Sequence, residues 1–145
     1  MKALVCVASL SMILVAARPA QAAPVEVNRV ATMECASHDG AAVAVLYDVT
    51  YRARVSQFVW SQLVVETKDQ DTLESRRSEW HAFDYKTNTG FGFTSVGSKG
   101  NLTLFVESGA TAPARGQSYS ADLVGLEHLP DVDSRFNFSL QCKLL

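Results

Sequence analysis

The side chains in this chain that carry chemistry at neutral pH are few and scattered. There are three histidines, His38, His81 and His128, and none stands in an HExxH motif or at another metal-ligand spacing. His38 falls in a turn beside Asp39, and His81 alternates with strand-type neighbours. No GxSxG elbow is present for a serine nucleophile. Gly90-Phe91-Gly92 lacks the third glycine and the following helix of a dinucleotide loop, and reads as the glycine pair of a hairpin. A triad assembled from distant residues is defined by geometry and leaves no mark in spacing. Asp69, Asp71 and Glu74, with Asp131 and Asp133, offer oxygen ligands for calcium, but the glycine-containing EF-hand loop is missing and solvated acidic loops are the plainer reading. These patterns predict no catalytic residue, no metal site and no cofactor, and hence a protein that is not an enzyme.

Two of the three cysteines are more informative. Cys6 lies in an N-terminal apolar run, leaving Cys35 and Cys142. An even count in an exported chain reads as a disulfide, and two cysteines allow only one pairing. The bridge would close a loop of about 107 residues and stabilise the fold by roughly 4–5 kcal/mol in the chain-entropy model. The alternative is a pair of buried thiols or metal ligands, against which stand the absence of CxxC and of a nearby histidine.

Export is read from residues 1–22. Lys2 supplies a positive start, Ala3–Ala17 an apolar stretch, Arg18-Pro19 a break, and Ala20-Gln21-Ala22 the small residues of a cleavage site before Ala23. The stretch is short for a membrane span, and no later run is long enough for one. Cleavage leaves a single domain over 23–145, 123 of the 145 residues, secreted or periplasmic. Without Lys2 and Arg18, the 13 basic residues fall to 11 against 15 acidic ones, so the net charge moves from -2 to -4. That balance excludes a basic nucleic-acid-binding surface.

The elements that position these residues are strands. Period-two alternation dominates: Phe136, Phe138, Leu140, Cys142 and Leu144 share one face, so Cys142 points inward. Ala31, Met33 and Cys35 share a face near the start, and the disulfide makes the first and last strands neighbours. The second strand spans about 41–51, with Val43, Val45, Tyr47, Val49 and Tyr51 on one face. The third spans 54–68 and is apolar on both sides, which predicts a bulge or a strand covered on both faces. Residues 71–83 fit a helix, from Asp71 and Glu74 as a capping box, or a loop leading to a strand at about 79–86; the strand is favoured. Turns at 87–90 and 97–100 and a small-residue loop at 108–116 separate the remaining strands. About eight strands with polar turns predict an all-β antiparallel sandwich or small barrel.

Aromatic residues concentrate mid-chain: Phe58, Trp60, Trp80, Phe83, Tyr85, Phe91 and Phe93. Alternating aromatics on strands are most often core. Their functional reading is an apolar pocket or an exposed recognition face, with Phe58, Trp60, Trp80, Tyr85, Phe91 and Phe93 as the candidate ligand contacts. The sequons at Asn101 and Asn137 lie inside predicted strands and read as chance matches.

Met33-Glu34-Cys35, Gly40 and the Val43/Val45/Tyr47 strand resemble the opening hairpin of the periplasmic C-type lysozyme inhibitors. The resemblance covers roughly 20 residues and implies a small exported β-barrel with a disulfide to its C-terminal region, acting as an inhibitor. That family's inhibitory loops have no counterpart in this sequence, and no site residue carries over.

The sequence therefore points to an exported binding domain for a protein, a glycan or a small apolar ligand, or a component of an envelope or extracellular assembly. A small hydrolase with a non-motif active site is the catalytic alternative. A binding module requires a pocket or aromatic patch, an assembly protein an uncovered strand edge, and an enzyme a cleft where histidine and carboxylates converge. The oligomeric state is left open.

Overall fold

The computed structural model describes residues 25–145 apart from Arg54, Val55 and Gln70. The export segment at 1–22, and the first two residues expected in the third strand, lie outside the described residues. The order is β1 (Glu26–Ser37), β2 (Ala42–Ala53), β3 (Ser56–Lys68), β4 (Ser75–Lys86), β5 (Gly90–Gly97), β6 (Gly100–Glu107), β7 (Ser118–Glu127) and β8 (Ser134–Leu144). Each strand pairs antiparallel with the next, and β8 returns to β1, closing a barrel. Between sandwich and barrel, the hydrogen bonding settles on the barrel.

The closing seam is short. Only Met33–Ser37 pair with Leu144–Leu140, and Cys35 stands directly opposite Cys142. The disulfide joins those two residues across a sequence separation of 107. Such a bond persists in an oxidising compartment.

Leu63, Leu102, Leu104 and Leu123 fill the barrel's centre with Met33, Trp80, Phe136 and Leu140. Full burial of each such side chain stabilises the fold by about 2 kcal/mol. An eight-stranded barrel has an interior just wide enough for side chains or one small ligand. Room around the disulfide is made by small residues, since the inward series of β2 is Ala42, Ala44 and Leu46, while the larger Val43 points outward and is exposed. Outward positions of β6 to β8 carry Glu107, Asp122, Ser139, Gln141 and Lys143. The interior is apolar, and the outer face carries these polar residues together with the exposed Val43, Phe58, Phe83 and Val124. Among the described residues, no helix is long and apolar enough to cross a membrane.

Two local readings change, and for β3 one of the two alternatives holds. Ala31 pairs with Tyr47 but Met33 pairs with Leu46, so β1 carries a bulge there and Ala31 leaves the face of Met33 and Cys35. The β2–β3 register, by contrast, is unbroken, and the two-sided apolarity of β3 reflects cover on both faces: Leu63, Val64 and Val65 are all buried. Finally, β4 begins at Ser75, four residues earlier than expected. Its first inward residues are polar: Arg76 binds Glu127, and the Ser78 hydroxyl accepts from Trp80 Nε1 at 2.9 Å. The turn before it is held by Asp69, whose carboxylate accepts from the backbone N–H groups of Thr72 and Asp71 and is thereby held below the usual carboxylate range.

Candidate ligand cleft at one barrel mouth

The barrel has two unlike ends. At the mouth formed by the turns at 38–41, 69–74, 98–99 and 128–133, Glu127 is buried and clamped by Arg76 and by Lys99 Nζ at 3.3 Å. Lys99 lies 4.8 Å over the Trp80 ring, and Arg76 lies 6.0 Å over Phe136. This ion cluster plugs that end with its charges paired and its cations on aromatic faces. A cavity of about 580 Å³ lies outside the plug, between 67–76 and 132–138, with Lys68, Asp69, Glu74, Arg76 and Arg135 in its wall. Its mixed charges and loop walls suit water rather than an apolar guest.

The opposite mouth is open. A cleft of about 540 Å³ descends between β2, β3, β4 and β5, with the loop Ser108–Pro113 arching over it. Leu46 and Phe93, both buried, form its floor, and Phe91, Ala110, Ala112 and Pro113 give it apolar walls. Phe91 meets Phe93 edge-on at 6.0 Å between centroids. The polar lining includes Thr32 at the β1 bulge, Ser61, Asp48, Asp84 and Lys86. Thr32 is fixed by donating its hydroxyl to the Leu46 carbonyl at 3.3 Å. The arching loop is tied down by Gly109 N–H donating to Thr89 O at 3.0 Å and Gly116 N–H donating to Leu144 O at 2.8 Å.

The cleft exists because β4 changes partner. Residues 75–82 pair with β3, whereas Phe83–Lys86 pair with β5. Beyond Ser61, β3 therefore separates from β4, and the split opens the barrel sideways. The stretch Ser56–Trp60 pairs with β2 alone among the described residues. Tyr85 is held at the rim by stacking on Phe105 at 6.4 Å across Gly92. A Cβ on Gly92 would sit 2.6 Å from the Tyr85 ring and 2.7 Å from the Leu104 carbonyl, so only glycine admits the ring there. Partial burial at this rim pushes the Tyr85 hydroxyl's pKa up.

The six aromatic candidates are dispersed. Phe91, Phe93 and Tyr85 line the cleft. Trp80 is a core residue at the plugged end, with its indole N–H donating to Ser78. Phe58 and Trp60 lie on the outward face of β3, where Phe58 leans on Tyr51 at 6.1 Å and Trp60 stacks on His81 at 5.6 Å. These rings cover Val49 and lie beside Gln62, whose amide donates to Glu79 at 2.9 Å. Within this strip Trp60 Nε1 and Gln62 Oε1 are buried with no partner among the described residues.

The histidines and acidic loops stay apart. His81 belongs to the outer strip, and His128 Nδ1 meets Asp133 Oδ1 at 3.0 Å on an exposed loop. Among the described residues, no three His, Cys, Asp or Glu side chains gather as a metal-binding group. Sequence reasoning missed Asp48, Asp84 and the arching loop. The signal was present for both aspartates, since Asp48 continues the inward series Ala42, Ala44, Leu46, and Asp84 continues Trp80, Ala82.

Comparison with protein-family models, with curated proteins and with solved structures finds no match.

Proposed function

We propose that this protein is a non-catalytic binding barrel, exported to the periplasm or cell exterior, that holds a small, largely apolar ligand in the open mouth. One observation carries the reading: an eight-stranded barrel packed solid and ion-plugged at one end is left hollow at the other, with a 540 Å³ apolar cleft under a tethered loop. Clefts of this size with a few placed polar groups are the usual form of small-molecule sites. The disulfide supports export, because it would not persist in a reducing cytosol.

Binding of the neutral fluorescent reporter N-phenyl-naphthylamine tests the reading. The protein is expected to raise the reporter's fluorescence saturably, and Phe91→Ala to weaken binding about tenfold, the value of roughly one lost aromatic contact. A Phe58→Ala variant, altered on the outer face, is expected to bind as the parent does. Absence of a saturable signal would count against the cleft.

A second reading is favoured by the edge of β3 at Ser56–Trp60, which among the described residues pairs on one side only. Ser56–Trp60 is uncharged, free of proline and includes the exposed Phe58 and Val59. Such an edge is a template for pairing with another strand, as an assembly protein would need. Light scattering at rising concentration checks it. Self-association that Val59→Lys abolishes, by placing a charge on that edge, would favour assembly; a monomer at all concentrations would remove self-pairing.

A further inference from the structure

We infer that the ligand of the open cleft carries a protonated amine, recognised by Asp48 and Asp84. The inference rests on the reading of the cleft as a ligand site and specifies the ligand's chemistry.

Asp48 pairs with Ser61 across β2 and β3, and Ser61 pairs with Ala82, two residues before Asp84 on the same face of β4. The register therefore places Asp48 and Ser61 in one inward row, with Asp84 at the next inward position of β4 beyond it, and all three line the cleft. Among the described residues, neither carboxylate makes a hydrogen bond or an ion pair. Lys86, at the rim beyond Asp84, is likewise unpaired with either of them, so the cleft holds two acidic groups and one basic group. Asp48 and Asp84 are exposed to solvent in the open cleft, whereas the buried Glu127 is matched by two cations.

The chemistry follows from covering these groups. An apolar guest seated on Phe91 and Phe93 displaces water from both carboxylates. A neutral chain gives nothing in return, and that uncompensated desolvation is costly. A carboxylate ligand adds repulsion. An ammonium group supplies several N–H donors for charge-assisted hydrogen bonds to both aspartates, with the Ser61 hydroxyl as a further acceptor. The site thus selects a cationic amphiphile by penalising its neutral and anionic counterparts.

Octylamine, octanol and octanoate, which share one chain and differ in head group, separate the possibilities. Each is titrated at near-neutral pH against N-phenyl-naphthylamine bound to the disulfide-bonded protein, with direct calorimetry in parallel. Octylamine is expected to displace the reporter at about tenfold lower concentration than octanol, with octanoate the weakest. In a D48N/D84N variant that keeps the parent's thermal midpoint within a few degrees and still binds the reporter, octylamine and octanol are expected to become equal within about twofold. If the variant unfolds, the single variants D48N and D84N are each expected to lose part of the preference. Reporter binding with octanol equal to octylamine in the parent protein would overturn the amine inference and leave the cleft as a ligand site. If neither the reporter nor any octyl compound binds, the ligand-site reading falls, and the amine inference with it.

Discussion

Replacing Cys35 and Cys142 together by alanine is expected to lower the unfolding free energy by about 3–5 kcal/mol. The disulfide spans a sequence separation of 107, so it withdraws a large closed loop from the unfolded ensemble. It also sits on one of the barrel's two shortest seams. β2 and β3 share twelve residue pairs, but the β1–β8 seam consists of the five pairs from Met33–Leu144 to Ser37–Leu140, and only the four-pair β4–β5 seam is shorter. Both sulfurs are buried in the core, so alanine leaves unfilled volume as well. Urea unfolding of the parent, the double variant and the parent under reduction checks this. The double variant and the reduced parent are expected to share a lowered midpoint, and a change below about 1 kcal/mol would show that the hydrogen-bonded seam closes the barrel unaided.

The second large effect lies at the plugged mouth. An R76M/K99M variant is expected to destabilise the protein by about 3 kcal/mol, because it leaves the Glu127 carboxylate buried without a cation. The loss also removes the two cation–aromatic contacts to Phe136 and Trp80. Arg77 gives the contrast. It pairs with Glu66 at 3.0 Å and Glu79 at 3.3 Å, but all three side chains are about half exposed. Arg77→Met is therefore expected to cost at most about 1 kcal/mol. Thermal and urea unfolding of both variants measures the difference, and equal small losses would mean that the cluster caps the barrel without holding it.

These features were not equally legible in the sequence. Alternation announced the strands, because each has one face in the core and one in water, and the inward placing of Cys142 followed from it. Alternation does not say which face is inward when both are apolar. In β2 the smaller alanine face turns in, since the space beside the disulfide and the central leucines admits nothing larger. The bulge in β1 reverses a face within two residues and leaves no compositional mark. The start of β4 was hidden because its inward residues there, Arg76 and Ser78, are polar; Arg76 finds its partner on a distant strand, Glu127 of β7, and Ser78 accepts from the Trp80 indole two residues on. Closure of the barrel depends on the pairing of the two chain ends, which only the cysteines hinted at.

The candidate site was half visible. Phe91, Phe93 and Tyr85 stood out as aromatics, but Phe58 and Trp60 look the same in sequence and belong to the outer face. Asp48 and Asp84 become informative only once their faces are known to point inward. What joins them is the change of partner along β4, a tertiary event that opens β3 from β4.

The cleft itself is tested most directly by mapping a bound probe residue by residue. In amide NMR spectra of the disulfide-bonded protein titrated with octylamine, the shifts are expected to concentrate on Thr32, Ser61, Asp84, Phe91 and the arch Ser108–Ala112. The outer strip of Phe58 and Trp60, and the plugged end at Glu127, are expected to stay unchanged. Shifts confined to that outer strip, or no saturable shifts at all, would contradict the account.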